Sequence, residues 1–245
     1  MKSHGGIVVD WDEATGRSFL RSGRADPPFS VRWCDGRVLV AASAAAPLGG
    51  DELSLDIAVG AGATADVGTV ASTIVLPGAV AAQSFMTTNC VVGDGAHLDW
   101  VGEPTVSVVG SDHEVITTVD LAASATCRIV EEVSLGRAGE PSGRLRLVVR
   151  VERAGRVLVH HEELFGPGVP GVGSTVSTAN ARHVLSAVHV GVEVGDARVI
   201  EHIDGRAAWL PVATDAAVVL AVGVDRPAVL RLAGTVSDED RHRMM

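Results

Sequence analysis

The chain has 245 residues, enough to bury a substantial core, and its formal charge of −10 excludes roles that need a basic face, nucleic-acid binding above all. Aromatics make up 3% with Tyr absent, so Val, Ala and Leu must build the interior, while 28 Gly argue against a mainly helical protein. The longest apolar runs, Val38–Leu48 and Ala216–Val224, fall well short of the roughly 20 residues that span a bilayer, and Met1–Glu13 holds Asp10 and Asp12 with no run of signal length, so no membrane role is expected.

Residues 1–37 are polar and broken by Pro27, Pro28 and several Gly; 1–26 are expected to be loosely ordered. From Val38 the apolar pattern has period two. Leu53, Leu55, Ile57 and Val59 face one way, with Ser54, Asp56 and Ala58 opposite, and the same alternation recurs at Leu145–Val151 and Val188–Val194. That period belongs to half-buried strands. Arg153-Ala154-Gly155, between two such runs, reads as a hairpin turn.

Three segments align without gaps: Ile57–Val67, Cys90–Trp100 and Val119–Ile129, at separations of 33 and 29 residues (57 to 90, 90 to 119). Each is a strand, a small-residue turn ending in Gly-Ala or Ser-Ala, and a second strand in the same phase. Stacked as coils, they would turn Ala63, Ala65, Val67, Ala96, Leu98, Trp100, Ala125, Cys127 and Ile129 inward. Asp66, Asp99 and Arg128 would then form an outward polar row with neighbours about 4.8 Å apart. Beyond Pro170 the pattern loosens. Ser174–Ser186 predicts a capped helical turn, Asp225–Leu232 a short helix with an early Pro, and 237–245 a frayed end.

Chemical motifs are sparse. Nine His are scattered with no HExxH or HxH pattern, and no GxSxG, phosphate-loop or dinucleotide fingerprint occurs. His160 and His161 are strand neighbours facing opposite sides, so they cannot share one ion. Asp112-His113-Glu114 is a compact set of potential ligands, placed in the loop before a strand from Val115 to Leu121. Glu131 and Glu132, adjacent on a strand, splay apart, and His189 alternates outward and reads as exposed. Cys90 and Cys127 fit strand phase as small core residues; with Cys34 they form an odd set without CxxC, which implies reduced thiols and a cytoplasmic setting. No catalytic constellation and no tight metal site is expected.

The block Pro47–Val59, with Gly49-Gly50-Asp51 turning into an alternating strand, followed by Gly62–Val67 and Ala71–Gly78, resembles the signature of the UreD (UreH) family of urease accessory proteins. Gly95-Ala96-His97-Leu98-Asp99-Trp100 is similar to that family's Gly-Ala-x-Leu-acid-Trp element, and Gly136-Arg137 with Glu140 and Gly143 to its Gly-Arg…Gly-Glu…Gly segment. The likeness is best over about residues 27–165, and after Trp100 the family's Pro-Gln-Glu run gives way to Val101-Gly102-Glu103-Pro104.

The expected fold is all-β (mainly β): a single domain over 1–245, built as a solenoid-like, layered β-sheet scaffold with a few short helices in the C-terminal third. The resemblance implies a non-enzymatic partner of UreF, the GTPase UreG and apo-urease, within an accessory complex that allows a homodimer. It implies no tightly bound cofactor, with nickel(II) passing in transit through an internal channel. Weak oxygen or imidazole ligands suit such a passage, because a tight site would trap the ion. Asp51, Asp66, His113, Glu132 and Glu140 are the groups singled out for the nickel path or partner contact, and Gly49, Gly50, Trp100, Gly136 and Arg137 are the family-motif structural positions. Two other readings stand beside this one: a β-solenoid hydrolase, which needs converging carboxylates or a His-centred site, and an interaction module without nickel function.

Overall fold

The computed structural model describes residues 1–79, 81–174 and 177–238. Four strands come first: β1 (Lys2–Asp12), β2 (Arg17–Ala25), β3 (Phe29–Cys34) and β4 (Arg37–Ala42). Three coils follow. The first holds β5 (Glu52–Val59), β6 (Thr64–Thr69) and β7 (Thr73–Val75); the second holds β8 (Ser84–Val92), β9 (His97–Val101) and β10 (Thr105–Ser107); the third holds β11 (Asp112–Leu121) and β12 (Thr126–Leu135). At the far end β13 (Arg144–Arg153) adds in parallel to β11, and antiparallel strands follow: β14 (Arg156–Phe165), β15 (His183–Val190), β16 (Arg198–His202), β17 (Gly205–Ala213) and β18 (Ala216–Gly223). One helix, α1 (Arg226–Asp238), ends the described chain.

The coils stack in parallel, so β5, β8 and β11 lie side by side in one sheet and β6, β9 and β12 in the other. The register is that of the sequence repeat: Ile57 pairs with Cys90 and Cys90 with Val119, while Val67 pairs with Trp100 and Trp100 with Ile129. Each turn closes with the same backbone bond, from Ala63 to Gly60, Ala96 to Gly93 and Ala125 to Ala122, all 3.1 Å. All nine positions expected inward are buried, and they meet Leu55, Ile57, Leu121, Leu145 and Leu147 from the facing sheet. Hairpins extend the first sheet to β14-β13-β11-β8-β5-β1-β2 and the second to β16-β17-β18-β15-β12-β9-β6-β4-β3. The turn between β13 and β14 is the expected one, with Ala154 and Gly155 both at positive φ.

Three expectations change. Residues 1–26 are ordered, because β1 adds in parallel to β5 and pairs with β2; inward Ser3 and Gly5 among buried Ile7 and Val9 hide the alternation from a hydropathy reading. The segment after Ser174 holds turns and not a helix among its described residues, since Ala179 and Asn180 take positive φ before β15 begins at His183. Among its described residues the C-terminal third therefore has a single helix, capped where Asp225 Oδ1 accepts from the Ala228 amide at 2.8 Å, with Pro227 in its first turn. Of the expected frayed end, Ser237 and Asp238 lie within α1 and 239–245 lie outside the described residues. The helix seats Val229, Leu232, Ala233 and Val236 on the outer face of the second sheet, against Leu185, Ala187, Trp209 and Val219.

Two glycines test this packing in opposite directions. A Cβ on Gly49 would fall 2.6 Å from the Gly78 nitrogen and 2.8 Å from the Ala82 carbonyl oxygen, so Gly49→Ala should cost about 1–3 kcal/mol in denaturant unfolding. Gly234, on α1 with nothing within 4 Å of its added Cβ, should gain about 0.8–1 kcal/mol as Gly234→Ala.

Candidate functional site

The second sheet is interrupted part-way along the coils. β6 and β9 stop at Thr69 and Val101 and resume as β7 and β10, while β12 runs past both without a break. Val101 pairs with Val130 and Thr105 with Val133, so four steps on one side stand against three on the other. That extra residue bulges the sheet at Gly102-Glu103-Pro104. Behind the gap lies a cavity of about 550 Å³ between the two sheets.

The cavity walls are mostly apolar, with Leu53, Leu55, Met86 and Val115 among them, but its polar groups are unusual for a sandwich core. His113 is completely buried; its Nδ1 lies 2.8 Å from Ser84 Oγ, and its Nε2 has no hydrogen-bond partner. Desolvation, partly opposed by the Ser84 contact, pushes the His113 pKa down to about 4, which leaves a neutral imidazole at pH 7. From the facing sheet comes Glu131, whose Oε1 accepts from Trp100 Nε1 at 2.9 Å and from Thr117 Oγ1 at 2.6 Å. Both bonds favour the carboxylate, yet burial outweighs them and raises its pKa. Ser186, the residue paired with Glu131 on β15, has a buried Oγ without a partner. Glu103 and Arg137 line the mouth.

The sequence-predicted residues scatter around this site. His113 and the motif residues Trp100 and Arg137 line the cavity. Asp51 is buried in the Gly-Gly-Asp turn, where Oδ2 accepts from the Leu48 amide at 2.8 Å and Oδ1 meets the Met1 ammonium. Gly50 supplies the positive φ that the turn needs. Asp66 faces outward and pairs with Arg37 at 2.8 Å. Glu132 also lies on the outer face, held by Arg226 of α1 at 2.8 and 3.0 Å; the same arginine reaches Glu103 at 2.9 Å. Glu140 accepts from the Val109 amide and from Arg137 Nε, and Gly136 turns the loop at positive φ.

Two placements differ from expectation. Asp112-His113-Glu114 opens β11 instead of forming a loop, so strand alternation sends His113 inward while Asp112 meets Gln83 and Glu114 meets Arg146. The three do not converge. His189 is half-buried, its ring 5.5 Å from that of Trp209, and burial lowers its pKa to about 4. Glu131 and Glu132 splay to opposite faces as expected, and the inward Glu131 is the buried carboxylate, a residue outside the sequence-predicted set. The signal was present: Cys127 and Ile129 set the inward phase, and Glu131 continues it.

The family model for UreD urease accessory proteins matches residues 3–245. The chain belongs to the UreD urease accessory protein family. A UreD of Parafrankia sp. is 38% identical over 219 residues, spanning 80% of this chain and 74% of the relative. A UreD of Streptomyces coelicolor is 36% identical over 237 residues, spanning 92% and 91%. Membership agrees with the mainly β, coil-stacked fold, and among the described residues no helix is long and apolar enough to cross a membrane. No three His, Cys, Asp or Glu among those residues cluster to hold an ion.

The buried pair gives the interior opposite pH slopes. Folded Glu131 keeps its proton above the pH at which the unfolded chain releases it, so its contribution weakens as pH rises from the carboxylate range. Folded His113 resists protonation, so its contribution is lost as pH falls from about 6.5 towards 4. Glu131→Gln should therefore flatten the alkaline side of a stability–pH curve and leave the acid side unchanged, as measured by urea midpoints across the range.

Proposed function

We propose that this chain is a non-enzymatic scaffold that helps deliver nickel(II) to apo-urease and assemble its metallocentre, acting with UreF and UreG in the cytoplasm. The observation that carries the reading is an imidazole and a carboxylate lining one desolvated cavity, in a member of a urease accessory family. Nitrogen and oxygen ligands suit a borderline divalent ion, and two protein ligands hold it loosely enough to pass on. His113 offers a neutral ring nitrogen, and Glu131 a carboxyl whose burial disfavours its lone charge and so favours a cation beside it.

On this reading the ion is cargo and no cofactor is bound tightly. Of the five groups singled out in the sequence, His113 is on the route. Asp66, Glu132 and Glu140, on outer strands and loops, belong to partner contact, and Asp51 braces the turn. The hydrolase alternative gains nothing from the cavity, where the buried carboxylate already accepts two hydrogen bonds at one oxygen.

Deleting the protein should leave urease synthesised but nickel-poor and inactive. Complementation with His113→Leu or Glu131→Leu, each checked for folding, should restore urease activity per unit of urease protein at least about tenfold less well than the wild type. Full urease activity in the deletion strain would refute the proposal.

A further inference from the structure

A second pair of metal-type ligands lies outside the central cavity, on the inner face of the edge strand β14. Val149 pairs with His161 and Leu147 with Glu163, and since both valine and leucine point into the core, His161 and Glu163 point inward beside them. Side chains two apart on a strand share a face, so the imidazole and carboxylate are neighbours by construction. His161 Nε2 and Glu163 Oε2 stand 3.3 Å apart, both atoms buried, neither making a hydrogen bond. The side chains are 19% and 21% exposed, which places the pair at the rim of the sandwich and within reach of solvent.

An unaligned His–Glu contact is a poor structural pair, because two desolvated polar atoms gain no hydrogen bond from it. It is a good pair of ligands. First-row divalent ions bind imidazole nitrogen and carboxylate oxygen at about 2.1 Å. Two such bonds whose ends are 3.3 Å apart subtend an angle of about 104° at the ion, between tetrahedral and octahedral values. Neighbouring groups do not compete for it: Glu162, on the opposite face, is held by two bonds of 2.8 Å from Arg146, and His160 points outward.

We infer that His161 and Glu163 form a weak site for a first-row divalent cation, completed by water. It is distinct from the cavity. Thr117, which bonds Glu131, pairs with Val149, and Val149 with His161, so the site lies two strand spacings from Thr117, about 10 Å away. Buried Val149 and Leu147 fill the intervening positions. The site's use as a loading or release point for nickel rests on the delivery reading above; its affinity for the ion does not.

The test titrates the full chain with Ni²⁺ alone and follows paramagnetic broadening of the histidine ring signals by NMR. His161 should broaden, Glu163→Gln should weaken that effect about tenfold or more, and His113→Leu should leave it unchanged. Absence of broadening at His161, or the same affinity in Glu163→Gln, overturns the site. The two readings fail separately. A silent His161 alongside nickel-dependent rescue of urease removes only the rim site, whereas full urease activity without the protein removes delivery and leaves the Ni²⁺ titration as it is.

Discussion

The structure depends on one constraint, the in-register parallel stacking of three coils. Each coil offers small or β-branched residues to the interior, and small size at the turns lets successive coils approach to strand spacing. Gly93 shows how tight this is: a Cβ there would fall 2.8 Å from the Ala61 nitrogen of the neighbouring turn. Close approach also explains why so few aromatics suffice. With Ala63, Ala96 and Ala125 in one column, the sheets meet with short side chains, and Leu and Ile from the facing strands fill the remainder.

The same constraint makes the cavity. A stack of identical coils would run closed, but one extra residue between Val101 and Thr105, and one more between Gly68 and Thr73, part the second sheet at the level of Glu131. Polar groups then enter the core at that level, where Thr88, Thr117 and Glu131 occupy inward positions that neighbouring levels fill with apolar residues. Burial raises the Glu131 pKa even though Trp100 and Thr117 both donate to its Oε1. The interior at this level is thus polar, with a neutral imidazole and a carboxyl whose burial works against its charged form.

Legibility followed the same physics. Period-two alternation and the gap-free repeat gave the strands, their phase and the pairing of coils, because stacking forces a periodic sequence. The β13–β14 turn and α1 were legible from local residues, Gly155 for one and Asp225 with Pro227 for the other. What was not legible depended on neighbours distant in sequence. β1 looks irregular until β5 is beside it, and Asp112-His113-Glu114 looks like a loop until β8 and β13 flank it. Glu131 was readable as inward, but only the bulge on a different strand shows that it lines a cavity and not a packed core.

Magnitudes separate the outer acidic residues from the inner ones. On the exposed face of the second sheet, Asp66 pairs in register with Asp99, two like charges at strand spacing. Each is offset from its far side, Asp66 by Arg37 at 2.8 Å and Asp99 by Arg128 at 2.5 Å, so the row reads Arg-Asp-Asp-Arg across four strands. Such solvated pairs contribute about 0–1 kcal/mol each, and their order mainly fixes register by cancelling the central repulsion. A row that is already neutral has little pull on a cation. Inside, by contrast, His113 Nε2 has no hydrogen-bond partner, and burial raises the Glu131 pKa. Location, more than residue type, therefore sets the electrostatics of this chain's many acidic groups.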